Sequence, residues 1–170
     1  RGNYSYKVYD ALDRVAYEVD QEGYVTAYTY NGFGEQTVLR RYATRLNTAV
    51  LGGWSAGQTL TLSHLQTAGA VPASASDRTL ITAYDTRGQK VSIVQTAVTY
   101  YKADGTSATG TPTTQFTYDA YGELVKQAVL VEGAAGQADA VWAETYRYYD
   151  AMGRNDMTVD AEGYVTRTLF

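Results

Sequence analysis

The chain has 170 residues, of which 45% are hydrophobic and 19% are charged, a composition typical of a folded domain rather than a disordered segment. Its net charge of −4, without any block of like charges, argues against nucleic acid or an anionic membrane surface as a partner. The absence of cysteine excludes a disulfide scaffold and a thiolate metal site, and no apolar run is long enough to predict membrane insertion.

Tyrosine dominates the aromatic residues, with 17 copies beside 3 phenylalanines and 2 tryptophans. Large rings with a polar tip suit a pleated surface that is part buried and part wet. Apolar and polar residues alternate through much of the chain, which predicts an all-β fold built as an antiparallel meander of hairpins. The predicted strands, in chain order, are 4–9, 14–19, 24–30, 35–42, 78–84, 90–101, 113–118, 124–131, 141–149 and 164–170.

Residues 43–77 interrupt this pattern and form an atypical insertion, rich in small residues and broken at Gly52-Gly53. One short helix is expected near 58–68, where Leu60 and Leu65 would pack on the sheet. Two further polar stretches, 103–113 and 132–140, are predicted to be loops at hairpin tips.

An internal repeat gives the strongest signal in the sequence. Residues 9–30 and 149–170 align without gaps and share Tyr-Asp-Ala, an arginine five places after the tyrosine, Val-Asp and Glu-Gly-Tyr-Val-Thr. The opening tyrosine recurs at spacings of 21, 54, 34 and 31 residues, so the unit accepts insertions. The repeated positions are Tyr9, Asp10, Gly23, Tyr30, Gly34, Tyr84, Asp85, Gly88, Tyr118, Asp119, Gly122, Tyr149, Asp150, Gly153, Arg154 and Gly163.

Each repeated position has a mechanical explanation. Asp or Asn directly after a strand can accept hydrogen bonds from backbone N–H groups two residues on, and glycine three places later supplies a positive φ. Asp13 takes the place of this glycine in the first unit, and aspartate tolerates the left-handed region better than most residues. A second turn, Asp20 to Gly23, is predicted to be a type I turn closed by a glycine bulge. These positions therefore serve structure, because they end strands and reverse the chain.

The Tyr-Asp-x-x-Gly-Arg opening, followed by Val-Asp-x-x-Gly and a threonine-rich strand, resembles the YD or RHS repeats of bacterial polymorphic toxins, Tc-toxin C components and teneurins. The clearest copy begins at Tyr149-Asp150 and runs through Gly153-Arg154 to Gly163. Repeat-like sequence covers about two-thirds of the chain, with 43–77 the least typical part. The Gly-Arg pair of the family is present only at 153–154 and is replaced in the other four units.

In that family, repeats form a long β-sheet strip that spirals into a hollow shell around a C-terminal toxin or other cargo. The resemblance therefore implies that residues 1–170 are one structural segment of a larger secreted or cell-surface bacterial protein. Its expected partners are neighbouring repeats of the same polypeptide and an enclosed C-terminal effector domain. The resemblance implies no cofactor and no catalytic or metal-binding residue.

Three groups of residues are candidates for a chemical site. His64, beside Ser63, is the only conventional general base, but no nucleophile-elbow motif accompanies it, so we expect no enzyme. Trp54 and Trp142, with exposed tyrosines, could stack on sugar rings, which leaves a carbohydrate-binding or adhesin-like surface as the alternative function. The carboxylates lack the alternating pattern of a calcium loop and are expected to cap turns: Asp10, Asp13, Asp20, Glu22, Asp156, Asp160 and Glu162.

Overall fold

A computed structural model describes residues 4–102 and 104–170, and confirms an all-β antiparallel meander with one short helix in the predicted place. Within that part of the chain, helix α1 spans Leu62–Gln66 and a 3₁₀ turn spans Thr48–Val50. No helix there is long and apolar enough to cross a lipid bilayer. The strands are β1 (Tyr6–Tyr9), β2 (Val15–Val19), β3 (Tyr24–Tyr30), β4 (Gln36–Arg45), β5 (Arg78–Tyr84), β6 (Lys90–Gln95), β7 (Val98–Tyr101), β8 (Ser107–Gly110), β9 (Thr113–Tyr118), β10 (Leu124–Glu132), β11 (Val141–Tyr149), β12 (Asn155–Val159) and β13 (Val165–Arg167).

Sequential strands pair with one another in an eleven-stranded sheet of order β1-β2-β3-β4-β5-β6-β9-β10-β11-β12-β13. The one skip in this order, from β6 to β9, leaves out β7 and β8, which pair together as a separate hairpin. This order is what a chain of short turns produces, because a tight turn places each strand beside its predecessor.

The chain divides into two compact units, Arg1–Ile81 and Thr82–Phe170. In the first unit, the segment between β4 and β5 lies over one face of the sheet. Val8, Val19 and Val25 of that face are at most 4% exposed. The side chains that cover them are Leu51, Leu60, Leu65 and Ala70. These buried side chains form the hydrophobic core of the unit, and the segment between β4 and β5 supplies one side of it. Full burial of a Val or Leu side chain contributes roughly 1.5–3 kcal/mol.

The second unit is built from successive hairpins whose register is set strand by strand. Gln127 on β10 pairs with Phe116 on β9 and with Thr145 on β11. On the far side of β11, Tyr146 pairs with Val159 on β12. Most side chains on these strands are half-buried. Among the described residues of this unit, Ala128 alone is a buried hydrophobic residue, at 4% exposure. Its cohesion therefore rests more on backbone pairing and hydrogen bonds than on a core.

Three local predictions were wrong. The strand expected at 90–101 is two strands, β6 and β7, because β6 ends at Gln95. The Gln95 N–H donates to the Pro112 carbonyl, and β9 rather than β7 continues the large sheet beside β6. The polar stretch 103–113 contains β8, which lacks an apolar pattern but pairs with β7 through a turn closed by Lys102 N–H and the Thr106 carbonyl at 2.8 Å. Strand β12 was not predicted, since Asn155 and Asp156 disfavour strands by propensity and are overridden by pairing on both sides.

Candidate functional site

The repeated residues form one kind of turn, shown here for Asp10–Arg14. The Asp10 N–H donates to the Arg14 carbonyl at 2.8 Å, and the Asp13 N–H donates to the Asp10 carbonyl at 3.1 Å. The Asp10 carboxylate Oδ1 then accepts the N–H groups of Leu12 and Arg14 at 2.9 and 3.0 Å. Asp13 has a φ of 56°, in the region where the other units have glycine. One carboxylate thus satisfies two N–H groups that the tight turn leaves without a strand partner.

Four further turns after the repeated tyrosines share this geometry, and we call all five the Tyr–Asp turns: Asp10–Arg14, Asn31–Glu35, Asp85–Gln89, Asp119–Glu123 and Asp150–Arg154. The turns at Asp20 and Asp160, which contain Gly23 and Gly163, follow the same hydrogen-bond pattern. Three of the candidate calcium ligands, the carboxylates of Asp10, Asp20 and Asp160, therefore accept hydrogen bonds from backbone N–H groups. Among the described residues, no three His, Asp or Glu side chains gather as a metal site would require.

Three of the repeated tyrosines join their hairpin to the one before it through the side-chain hydroxyl. Tyr30 donates to the Val15 carbonyl at 2.8 Å, Tyr118 to the Lys90 carbonyl at 3.0 Å, and Tyr149 to the Leu124 carbonyl at 3.0 Å. In every case the acceptor lies five residues after the aspartate of the preceding Tyr–Asp turn. We call these contacts the tyrosine–carbonyl bonds. These bonds explain why tyrosine, and not phenylalanine, recurs at this position, because phenylalanine has no hydrogen-bond donor at the tip of its ring.

Arginine at the fifth position of the turn adds a second contact to the following unit. The Arg14 guanidinium lies over the Tyr30 ring, 4.6 Å from its centroid, and also bonds Asp10 at 2.7 Å. Arg154 repeats both contacts, with Asp150 at 2.7 Å and the Phe170 ring at 4.3 Å. Phe170 aligns with Tyr30 in the internal repeat. A guanidinium over an aromatic face contributes about 0.5–1 kcal/mol at an exposed site.

These contacts also set the ionisation of the turn carboxylates. The side-chain hydrogen bond from Arg14 is the main cause that lowers the pKa of Asp10. The backbone N–H of Arg154, followed by its side chain, lowers the pKa of Asp150. Both aspartates therefore stay ionised to a lower pH than an ordinary aspartate, which suits a hydrogen-bond acceptor.

In the second unit, side chains from one turn reach the next turn along the sheet. Arg87 Nη1 donates to the Ala120 carbonyl at 3.0 Å, and Gln89 Nε2 donates to the Gly122 carbonyl at 3.0 Å. The sequence predicted no contact between turns for the fifth turn residue in the units that lack arginine there. Its signal in the sequence was its fixed distance from the aspartate, which at Gln89 places a long side chain against the neighbouring turn.

An ion pair between the buried Asp77 and the partly exposed Arg40 of the first unit was also missed. Asp77 is 5% exposed and accepts Arg40 Nη2 at 2.7 Å, the Ala43 N–H at 2.8 Å and the Ser74 N–H at 3.1 Å. It fastens the end of the 43–77 insertion to β4. The sequence around Asp77 did not predict this ion pair, because the partner Arg40 lies 37 residues away along the chain.

His64 is part of the cap of helix α1. Its Nδ1 accepts the Thr61 N–H at 3.2 Å, while Thr61 Oγ1 accepts the His64 N–H at 3.4 Å, a capping box at the helix start. Ser63 Oγ shares a 2.9 Å hydrogen bond with Thr61 Oγ1. The Nδ1 atom of His64 is thus engaged with the backbone of the helix start.

The two tryptophans are half-buried. Trp54 packs against the core of the first unit, with its ring centroid 5.5 Å from that of Tyr6, and its indole N–H donates to the Thr59 carbonyl. Trp142 lies on β11 opposite Leu130. The most exposed tyrosines are instead Tyr121 at 90% and Tyr101 at 79%.

The fold and its repeated turns define an all-β protein of serial hairpins. No protein-family model matches the chain, and no curated protein does. Among solved structures, the one titled "Crystal Structure of TcdB2-TccC3" is similar with a TM-score of 0.42 and 13% identity, over 99% of this chain and 11% of that chain. "Crystal Structure of TcdB2-TccC3-Cdc42" is similar with a TM-score of 0.40 and 12% identity, over 98% of this chain and 13% of that chain. The chain thus spans a small part of both, and similarity this low assigns no function.

Proposed function

We propose that the chain is a non-catalytic structural module, a stretch of β-sheet wall within a larger secreted or cell-surface polypeptide. The wall continues into neighbouring repeats of the same polypeptide and encloses or displays an effector domain. This finer assignment follows the resemblance to YD repeats, and it agrees with turns whose carboxylates serve the backbone.

The observation that supports the proposal best is the set of tyrosine–carbonyl bonds. Tyr30, Tyr118 and Tyr149 occupy the same repeat position and bond the preceding hairpin at the same place. A hairpin that carries its own connection to its predecessor adds to the sheet without needing a large core, which is how a repeat array extends. Side chains used in this way build an extended sheet.

Protease protection in the natural polypeptide tests the wall function. We expect the effector region to resist proteinase K while the wall is intact, and to be digested faster when Tyr118 and Tyr149 are both replaced by phenylalanine. Tyr121→Phe is the matched control, because this side chain is 90% exposed and lies in a turn. An effector region that is digested equally fast in the native and doubly substituted proteins would overturn the enclosing role.

The non-catalytic part of the proposal has its own test. His64→Ala should leave any hydrolytic activity of the purified chain unchanged, because the imidazole serves the cap of helix α1. Turnover that disappears in His64→Ala while the circular dichroism spectrum stays native would establish a catalytic histidine and refute this part.

A further inference from the structure

Strand β1 is an end strand of the large sheet, and its outer edge has no neighbouring strand among the described residues. An edge of this kind presents backbone N–H and C=O groups that can pair with another strand. The residue that distinguishes this edge is Tyr9, which ends β1 and opens the first Tyr–Asp turn.

The backbone of Tyr9 occupies the same position as that of three other repeated tyrosines. Tyr9 pairs with Val15, six residues later across its Tyr–Asp turn, and the register shifts next to this pair. Tyr30, Tyr118 and Tyr149 also pair with the residue six places later, with a register shift at the same point. Because the register is the same, the four side chains occupy equivalent sides of their strands.

The side chain of Tyr9 differs from the other three in its surroundings. It is 50% exposed, and its hydroxyl bonds none of the described residues. The other three tyrosines are half-buried and form the tyrosine–carbonyl bonds. Each acceptor is the first residue of the strand that lies beside the tyrosine's own strand: Val15 of β2, Lys90 of β6 and Leu124 of β10. Tyr9 thus has the same donor without a strand beside it to accept the bond.

The spacing of glycine in the sequence indicates which kind of strand fits this edge. Gly23 closes the turn between β2 and β3 and lies seven residues before Tyr30, and Gly163 closes the turn between β12 and β13 and lies seven residues before Phe170. In the sequence, Gly2 likewise lies seven residues before Tyr9. Strand β1 therefore corresponds to β3 and β13, the second strands of their hairpins, and its counterpart would be a first strand like β2.

We propose that the open edge of β1 binds the strand that follows a preceding Tyr–Asp turn of the same polypeptide, and that the Tyr9 hydroxyl donates a hydrogen bond to the first carbonyl of that strand. This strand runs antiparallel to β1 and begins five residues after the aspartate of its turn, as β2, β6 and β10 do. The inference rests on the proposed wall function and names the residue through which the wall continues beyond β1. Contacts of this nearest-neighbour kind are what stabilise a repeat array.

An extended chain tests this contact. It carries a second copy of residues 9–21 directly before Arg1, which supplies a Tyr–Asp turn and a β2 sequence at the spacing that Gly23 shows. Native-state hydrogen exchange of the β1 amides is compared between the extended and the original chain. We expect slower exchange in the extended chain, because the added strand covers the edge. Tyr9→Phe in β1 should then raise that exchange about fivefold in the extended chain, the typical effect of one hydrogen bond, and leave it unchanged in the original chain.

Tyr30→Phe is the matched control, because its acceptor Val15 is present in both chains, and it should speed exchange of the β3 amides equally in the two. The same effect of Tyr9→Phe in both chains, or β1 amides that exchange as fast in the extended chain as in the original one, would refute the proposal. Dimerisation of the original chain that Tyr9→Phe abolishes in sedimentation velocity would also refute it, because it would assign the edge to a second copy. Protease protection of the effector region is a separate readout, so failure of this contact is distinguishable from failure of the wall function.

Discussion

The hydroxyl of Tyr149 lies 3.0 Å from the carbonyl oxygen of Leu124, the residue that pairs with Tyr118 across the previous Tyr–Asp turn. Tyr118 in turn donates to the Lys90 carbonyl. The backbone of each of these tyrosines pairs with the strand on the other side of its own turn, and the side chain connects to the preceding hairpin. This double use links local turn chemistry to the cohesion of the second unit, which has few buried hydrophobic residues.

Removing one of these hydroxyls should destabilise the chain measurably. We expect Tyr149→Phe to lower the free energy of unfolding by about 1 kcal/mol, the net value of a typical hydrogen bond. Urea unfolding followed by circular dichroism measures this difference. Tyr121→Phe, at a 90% exposed side chain, should be neutral. Equal effects of the two variants would show that the Tyr149 hydroxyl contributes nothing to stability.

Backbone conformation, rather than space, should decide whether the Asn31–Glu35 turn tolerates a side chain at each of its two glycines. Gly34 has a φ of +85°, and no neighbouring atom lies within 4 Å of the place that a Cβ would occupy, so Gly34→Ala should cost about 1–2 kcal/mol through strain alone. Gly32, in the same turn, lacks a positive φ and is equally open, so Gly32→Ala should change stability by about 0.5 kcal/mol or less. Thermal unfolding of the two variants compares them directly, and the same loss in both would exclude strain as the cause.

The Asp77–Arg40 pair should be the most sensitive polar contact in the first unit. Asp77→Ala leaves two backbone N–H groups and the partly exposed Arg40 side chain without their acceptor, and we expect a loss of about 1–3 kcal/mol in unfolding free energy. Lys7→Ala, which removes an ion pair that is 62% and 37% exposed, should cost less than about 1 kcal/mol. Urea unfolding of both variants under one buffer measures the contrast.

The same aspartate should give the first unit an acid-sensitive component. Burial alone would raise the pKa of Asp77, but the N–H groups of Ala43 and Ser74 and the Arg40 side chain outweigh it and hold the pKa below 3.8. A lowered pKa stabilises the fold above the ordinary value and loses that stabilisation as the pH falls through the folded value. Asp77→Asn should flatten this acid limb in unfolding measured from pH 5 to pH 2. An acid limb of unchanged slope would contradict the assignment.

The segment between β4 and β5 should be required for the core of the first unit. Leu65 is 4% exposed within the cluster that covers Val8, Val19 and Val25, so Leu65→Ala should cost about 2–5 kcal/mol. Gln66→Ala, at the next and exposed position, should be within about 0.5 kcal/mol of the native chain. Near-ultraviolet circular dichroism during unfolding measures both. A neutral Leu65→Ala would mean that the segment does not contribute to the core.

The sequence predicted the all-β meander because the repeat and the alternation of apolar residues agreed with each other. Aspartate followed three places later by glycine located the tight turns, since that chemistry acts within five residues. Contacts between turns could not be predicted this way: the Tyr149 hydroxyl finds its acceptor 25 residues earlier, and Asp77 pairs with Arg40 across 37 residues. Strand β8 was missed because backbone pairing with β7, and no side-chain pattern, holds Ser107–Gly110 extended.

Native-state hydrogen exchange of the double variant Tyr118→Phe/Tyr149→Phe tests most directly whether tyrosine hydroxyls hold one hairpin to the next. The account predicts faster exchange of the amides that pair β6 with β9 and β10 with β11, the strand pairs that the Tyr118 and Tyr149 hydroxyls connect, with Tyr121→Phe indistinguishable from the native chain. Unchanged protection across those strands in the double variant would contradict it.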